Sequence, residues 1–409
     1  MKRFFGNTLF FIAIALGLFT GWIDISFFNH GADVISELFL RLLKLISLPL
    51  IFLAIASTIS GMKSPSEIRS MGKRVLMYTL GTTVIAATVA LALFLLIHPA
   101  QSAQIVDKNF ILPEESSGSY LSFVMNIIPS NMTQAFAEGN VIGIVFMAIA
   151  FSASILFLPE KNKEFLHVLF SSLFSALLKL TGFIIKLMPI AVWAFMTLLM
   201  KDLSSGNGHF QNLMLYLICV VGANLVQGFI ILPLILKFKG ISPWKTFKGM
   251  APALSVAFFS KSSAATLPIA MKTIEGRVGV SKKVSGFTLP LCSVINMNGC
   301  AAFILTTVLF VSTLYGMTFT PMQLIMWIFF ATLAAVGNAG VPMGCFFLTS
   351  AFLVGMNVPL YMMGLILPFY TVIDMVETAL NVWSDAVVAT SIDKEIKALP
   401  EMADQALVD

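Results

Sequence analysis

Long apolar runs separated by short polar connections fill the chain from its start to about residue 392. A run of about 18 or more apolar residues marks a helix able to cross ~30 Å of hydrocarbon. The pattern predicts spans at roughly 5–25, 33–62, 72–98, 119–158, 164–200 and 208–238. Span 119–158 is interrupted by Pro129 and Gly139 and reads as a broken helix. The runs are continuous rather than alternating, which argues against a membrane β-barrel. The first run follows a basic start, as in a signal peptide. It lacks a small-x-small cleavage site and reads as a retained transmembrane helix. The 101–120 connection, with Asp107, Glu114 and Glu115, reads as an exposed outer loop.

Two later runs behave differently. The stretch 242–275 is split by Ser260-Lys261-Ser262-Ser263 and has basic clusters on both sides. A segment whose two ends lie on one side of the membrane is a re-entrant hairpin. The stretch 321–360 is split by Gly337-Asn338-Ala339-Gly340-Val341-Pro342, with no Lys or Arg at either end. Counting spans puts both of its ends outside. Two runs broken in corresponding places and entered from opposite faces predict an inverted repeat with a binding site near the midplane. Non-helical backbone at that depth needs protein or a wet cavity around it. Two proline-kinked spanning helices are the alternative, and the charge pattern disfavours them.

Polar positions then single out the last helix. Asp374, Glu377, Thr378, Asn381 and Asp385 fall within roughly a third of its circumference at about 100° per residue. Each charge near a bilayer centre costs on the order of 2.5–3.5 kcal/mol on insertion scales. Three carboxylates on one face therefore require a cavity holding cations, water or a positively charged ligand.

Asn296-Met297-Asn298-Gly299-Cys300 interrupts another apolar helix, spanning about 284–313. Amides and a glycine at mid-helix free backbone carbonyls and add side-chain oxygens. That chemistry suits a hard monovalent cation, with Asp385 supplying the compensating charge. An interhelical hydrogen-bond motif of about 1 kcal/mol is the alternative. Ser262 and Ser263 offer hydroxyls and helix N-terminal N–H groups that attract a carboxylate. Lys261 is expected to pair with an acid on the last helix, direct anion binding being the other role open to it.

Composition agrees with this class. The chain has 409 residues, 58% hydrophobic and 11% charged, with a mean hydropathy of +0.93; this excludes a soluble domain. The net charge of +5 matters through its placement. Lys and Arg gather at Lys2 and Arg3, at Lys63, Arg69, Lys73 and Arg74, and at Lys161 and Lys163. Further clusters are Lys237 to Lys248, Lys272 to Lys283, and Lys394 with Lys397. The connections between them carry only Lys108 and Lys201. The positive-inside rule then makes both termini cytoplasmic, in a multi-pass protein of the cell (inner or plasma) membrane. Cys219, Cys292, Cys300 and Cys345 lie in apolar segments without metal-ligand spacing; Cys219 and Cys292 read as small buried hydrophobes. His30, His98, His167 and His209 are scattered and suggest no metal site.

These residues together resemble the sodium:dicarboxylate symporter family of glutamate and neutral amino-acid transporters. Ser260-Lys261-Ser262-Ser263-Ala264-Ala265-Thr266-Leu267-Pro268 is similar to its serine-rich first hairpin. Asn296 to Cys300 is similar to its Asn-Met-Asp-Gly-Thr motif, and Gly337 to Pro342 to its second hairpin tip. D-M-V-E-T-A-L-N-V-W-S-D, from Asp374 to Asp385, is similar to its last-helix signature D-M-G-R-T-x-x-N-V-x-G-D. Pro129-Ser130-Asn131 also matches. The similarity covers nearly the whole chain, with the motifs in order.

The resemblance implies an all-α polytopic membrane protein of eight transmembrane helices plus two re-entrant hairpins. A scaffold would comprise 1–70 (helices 1–2) and 119–200 (helices 4–5). A mobile transport domain would comprise 71–98 (helix 3) and 208–398. The latter holds helix 6, hairpin 1 (about 242–276), helix 7 (about 281–314), hairpin 2 (about 321–360) and helix 8 (about 362–392). It implies a homotrimer of independent protomers, each moving substrate across like an elevator. Substrate would lie between the hairpin tips (Ser262, Ser263 and Val341) and the last helix. Asp374 would take the ammonium; Asn381 and the serine tip would take the α-carboxylate, with Thr378 adjacent. Asp385, Asn296 and Asn381 match a first sodium site. Carbonyls near Ala335, Val336 and Asn338, with Met297, match a second; Thr82, Thr83, Asn296 and Asn298 match a third. No cofactor is implied beyond the coupled Na⁺, and the partners are an amino acid, the ion and the bilayer, not nucleic acid.

Departures from the family pattern carry the specificity argument. Glu377 stands where carriers of acidic amino acids place an arginine that clamps the side-chain carboxylate, and Cys300 replaces a threonine of that clamp. A glutamate facing a substrate carboxylate is repulsive by about 4 kcal/mol at ~4 Å and an effective ε near 20. The expected substrate is therefore a neutral or cationic amino acid, with a slight lean to a neutral or polar zwitterion. Asn298 replaces an aspartate of the third ion site, which predicts fewer coupled sodium ions, or a proton in place of one with Glu377 as its carrier. The alternative within this class is proton-coupled uptake of an acidic amino acid or dicarboxylate, for which Lys261 is the one available cation. An intramembrane hydrolase using Ser263 with Lys261 lacks any base geometry, so no enzyme is expected. A ligand-gated channel fits the broken hairpins less well than gated access.

Overall fold

The structure is a computed structural model that describes residues 2–61, 71–100, 128–137, 141–204, 209–338 and 343–397. Within them the chain is helical, with no strand. The first half comprises α1 (Lys2–Ile23), α2 (Ser26–Ser60), α3 (Lys73–Ile97), α4 (Met132–Ala137), α5 (Val141–Ile155), α6 (Glu160–Lys186) and α7 (Met188–Ser204). A rod follows, made of α8 (His209–Val226), a π-helical turn (Gln227–Ile231) and α9 (Leu232–Phe238). Then come α10 (Pro243–Ser260), α11 (Ser263–Thr273), α12 (Lys282–Ile295), α13 (Asn298–Leu314), α14 (Pro321–Gly337), α15 (Gly344–Gly355) and α16 (Tyr361–Lys397).

Six helical segments among the described residues are long and apolar enough to cross a membrane: Ser26–Ser57, Lys73–Ile97, Glu160–Lys186, Phe210–Phe238, Lys282–Leu314 and Tyr361–Lys397. Leu9–Ile23 is apolar over a shorter length. The protein is thus an all-helical, multi-pass membrane protein.

Some boundaries differ from the sequence expectation. The second helix begins at Ser26 rather than 33, because its polar entry residues Asn29, His30 and Asp33 continue the helix instead of forming a loop. Asn29 there donates to Asp24 at 2.7 Å. The expected single span 164–200 divides at Leu187. Pro189 has no N–H to continue the helical ladder, so the chain restarts. Gly139 and the 101–120 connection lie outside the described residues.

The centre is α13, almost every residue of which is buried. A helix apolar on all sides belongs inside a bundle, and α3, α8, α14, α15 and α16 surround it. Tyr216 of α8 stacks on Phe310 of α13 at 4.6 Å between ring centroids. Its hydroxyl bonds the Thr307 hydroxyl at 2.8 Å. At the other side of the molecule α1 meets α7 through Gly17 and Gly21: a Cβ at either would lie 2.5 Å from a neighbouring heavy atom of α7. Small residues four apart let membrane helices touch backbone to backbone, and Thr20 and Thr197 share a 2.8 Å hydrogen bond there.

The end of α16 is anchored by charge. Glu395 accepts from Arg74 at 2.8 Å and also meets Lys239 and Tyr78. Asp393 accepts from the Ser281 N–H at 3.0 Å and from its hydroxyl at 2.7 Å. These contacts tie α16 to α3, α9 and α12 and so fix the rotation of its polar face.

Candidate functional site

Three breaks in helical backbone converge on that polar face. The first is Lys261, in the left-handed conformation (φ 53°) at the end of α10, followed by extended Ser262. Ser262 Oγ accepts from the Ala265 N–H at 3.2 Å and starts α11, as an N-cap does. The second is Asn296-Met297, where neither residue is helical, between α12 and α13. The third lies between Asn338 and Met343, the latter at φ 57°. Val341 falls in the part of this third break outside the described residues.

A pocket opens among them, lined by Lys261, Ser262, Ser263, Met297, Asn338, Gly344 and Cys345 with Tyr370, Asp374, Glu377, Thr378 and Asn381 of α16. The structure therefore brings together the two serines, Asp374, Glu377, Thr378 and Asn381. Lys261 lines the pocket with both acids, but among the described residues it forms no ion pair with either within 4.0 Å. Lys261 sits at the helix break, and its charge acts on Asp374 across the pocket without a direct ion pair.

Glu377 is 1% exposed, and neither of its carboxylate oxygens has a hydrogen-bond partner among the described residues. A buried polar group left unmatched is costly, so native proteins rarely keep one without a role. Its helix lies against the break in α12–α13: a Cβ at Gly299 would stand 2.8 Å from Glu377 Cα and 3.0 Å from Asn224 Oδ1. Only glycine admits that approach.

Beneath the pocket lies a buried amide network. Asn296 Nδ2 donates to Asp385 Oδ1 at 2.9 Å and to Ser384 Oγ at 3.0 Å. Thr82 Oγ1 and Asn298 Nδ2 donate to Asn296 Oδ1 at 3.2 and 2.9 Å. Asn298 Nδ2 also reaches Ser384 at 2.8 Å, while Asn298 Oδ1 accepts from Gln227 at 2.9 Å. Asn381 Oδ1 accepts from the Gly299 N–H at 2.9 Å, and its amide nitrogen reaches Met297 Sδ at 3.4 Å. Asp385 is thus a buried carboxylate in a network whose other members are neutral amides and hydroxyls. That donor set fits a hard monovalent cation.

Two expected residues stand apart from this network. Thr83 donates to Thr79 of its own helix at 2.7 Å. The Ala335 carbonyl accepts from the Asn338 N–H at 3.1 Å and lies outside the pocket lining. Cys300 is fully buried and bonded to Cys345, with Cα atoms 5.3 Å apart; Cys345 is the member of the pair that lines the pocket. Cys219 and Cys292 are free and buried, as expected.

Sequence reasoning missed Gln227, Ser384 and Cys345. Gln227 opens the π-helical turn, a distortion common at functional sites, and its amide also donates to the Thr82 carbonyl at 3.1 Å. A buried amide in an apolar rod was the available signal. Nothing in the spacing of Cys300 and Cys345 announces their bond.

Comparison with known proteins bears on this arrangement. The chain is 29% identical to neutral amino acid transporter B(0) of Bos taurus over 385 residues, covering 86% of this chain and 71% of that protein. It is 29% identical to the same transporter of Mus musculus, covering 86% and 72%. Against neutral amino acid transporter A of Homo sapiens the identity is 27%, covering 86% and 73%. A model of the sodium:dicarboxylate symporter family matches residues 7–395. With the motif breaks and the acidic face of α16 all inside that match, the chain belongs to the sodium:dicarboxylate symporter family, whose members are transporters rather than enzymes.

Proposed function

We propose that the protein is a secondary active symporter that couples inward cation movement to uptake of a neutral or cationic amino acid. The observation that carries this reading is Glu377, buried in the pocket beside Asp374, with neither oxygen partnered among the described residues. While ionised, Glu377 repels a substrate carboxylate placed there by about 4 kcal/mol at ~4 Å and effective ε near 20, and when protonated it offers that carboxylate no cation. Lys261, which lines the same pocket and acts on Asp374, is one cation against two acids. An ammonium on Asp374, a carboxylate on the Ser262–Ser263 tip and Asn381, and a hydrogen-bond donor or cation toward Glu377 match the charges of the pocket. The names of the relatives, neutral amino acid transporters, agree with this preference.

Sodium is the coupled ion in this reading, held by Asp385, Asn296 and Asn381, with Met297 and the Ala335–Asn338 carbonyls forming a second site. Asn298 has its amide engaged by Thr82, Asn296, Ser384 and Gln227, a neutral knot that closes on itself. The third ion of the family pattern is therefore dispensed with, or replaced by a proton on Glu377.

The helix pairs α10–α11 and α14–α15 act as re-entrant hairpins in a fold of eight spans, with scaffold 1–70 and 119–200 and transport domain 71–98 and 208–398. Three protomers assemble through the scaffold, and each transport domain moves as an elevator with both termini cytoplasmic. Ions and substrate bind one closed state together, so the gradient drives uptake by linkage. The test is accumulation of radiolabelled amino acids in proteoliposomes under an inward sodium gradient, against choline. Neutral or cationic amino acids should concentrate and aspartate should not; absence of any concentrative uptake overturns the reading.

A further inference from the structure

We propose that Cys300 and Cys345 are a reversible thiol–disulfide site that fastens the start of α15 to α13 and so holds the α14–α15 hairpin against the bundle. The two cysteines occupy the first turns of α13 and α15, each immediately after a helix break. Their separation of 45 residues makes the bond a staple between the rigid centre of the bundle and the hairpin next to its tip. The Cα atoms stand 5.3 Å apart, inside the range a disulfide spans without backbone movement. Asn338, before the tip, donates to Cys345 Sγ at 3.6 Å, so the bond and both sides of the break form one unit.

This inference rests on the reading that the hairpin opens to admit substrate. An opening hairpin carries the start of α15 away from α13, and a bond of about 2 Å between sulfurs forbids that separation. In the oxidised protein the start of α15 therefore stays against α13. In the reduced protein the hairpin is free. The proposed orientation puts this hairpin on the outer face, where disulfides form and persist.

The step balances as thiol–disulfide exchange with a low-molecular-weight disulfide. The thiolate of one cysteine attacks a sulfur of that disulfide and releases one thiolate, leaving a mixed disulfide. The second cysteine attacks the protein sulfur and expels the other. Two electrons pass from the cysteine pair to the small disulfide, and the two thiol protons end on the two released thiols. A small dithiol runs the reaction backward. Cys345, 4% exposed and lining the pocket, is the sulfur of the pair on the pocket side, while Cys300 is fully buried; Cys219 and Cys292 have no disulfide partner.

The experiment uses the full chain in proteoliposomes, treated with oxidised glutathione or with dithiothreitol. Peptide mass spectrometry reports the bond, hydrogen–deuterium exchange reports opening of residues 321–355, and initial amino-acid uptake reports transport. Oxidation should join Cys300 to Cys345, slow exchange in the hairpin by about tenfold or more, and slow uptake by a similar factor. Dithiothreitol should reverse all three. In Cys345→Ala the ratio of oxidised to reduced exchange, and of uptake, should fall to one whatever the absolute rate. A bond that forms but leaves both rates unchanged, a bond that never forms, or a Cys345→Ala protein that keeps the full effect overturns the proposal. Absence of uptake in the reduced protein counts against the transport reading alone, because the exchange arm judges the staple without it.

Discussion

Asn296 and Asp385, 89 residues apart in the chain, share a 2.9 Å hydrogen bond across the break between α12 and α13. The bond ties the buried carboxylate of α16 to an amide N–H of that break, in a network of neutral amide and hydroxyl side chains. An isolated charge at that depth costs several kcal/mol, and the bond to a neutral amide leaves its negative charge uncompensated. In Asp385→Asn the shape is kept and the charge removed. The half-saturating sodium concentration for uptake should rise by about tenfold or more, equivalent to ~1.4 kcal/mol or more. Sodium titration of uptake checks it, with circular dichroism to confirm folding; unchanged sodium dependence would contradict the assignment of Asp385.

Glu377 separates the two substrate classes. Glu377→Gln keeps size and hydrogen bonding but loses the charge. If the substrate is cationic, its affinity should fall by about tenfold or more, while a neutral substrate should bind as before. Glu377→Arg should raise affinity for aspartate, since the sign of a contact worth about 4 kcal/mol reverses. A thermal-shift screen of the common amino acids, with sodium and with choline, reads both variants. Loss of every ligand in both would instead make Glu377 structural or a proton carrier.

Gly299→Ala should destabilise the protein. Its new Cβ would meet backbone Cα of Glu377 at 2.8 Å, so backbone on one of the two helices must shift. Overpacking of this kind costs about 1–3 kcal/mol. A lowered melting temperature in detergent is expected, along with weaker amino-acid binding because α16 is displaced. A variant as stable as the parent would show that the contact is looser than drawn.

The Glu395 cluster concerns stability rather than transport. Its partners Arg74 and Lys239 are 33% and 38% exposed, so Glu395→Ala should cost no more than about 1 kcal/mol. The Glu395 carboxylate, aided by the Tyr78 hydroxyl, pushes the Lys239 ammonium above its ordinary range. A folded-state value raised above the unfolded one gives stability that is complete below the ordinary lysine range and fades as pH rises through the raised value. Melting temperatures should therefore lose this contribution only in strongly alkaline buffer, and Glu395→Ala should flatten that decline. A decline of equal steepness in the variant would assign it elsewhere.

Much of the candidate site was legible before any coordinates because burial of charge in lipid is so costly. Asp374, Glu377, Thr378, Asn381 and Asp385 announce themselves as polar positions at helical spacing in an apolar run. Asn296 to Gly299 and Ser260 to Ser263 do so as polar interruptions. Boundaries were less legible. The division at Leu187–Pro189 was hidden in an unbroken apolar stretch, and the polar residues before 33 looked like a loop although they lie on α2.

What the chain alone determined is its class: all-helical, membrane-spanning, with a polar face on the last helix and three interruptions that suit no packed core. Hydrophobic periodicity and the price of polar groups in hydrocarbon act locally, so one strand of text suffices to reveal them. Only the tertiary structure decided which interruptions meet. It set Gln227 and Ser384 into the Asn296–Asn298 network, joined Cys300 to Cys345, and, among the described residues, left Glu377 without a hydrogen-bond partner and Lys261 without a direct ion pair. Those outcomes depend on how helices far apart in sequence rotate and cross, and that is settled by side-chain volume and close approach, as at Gly299, rather than by any pattern along the chain.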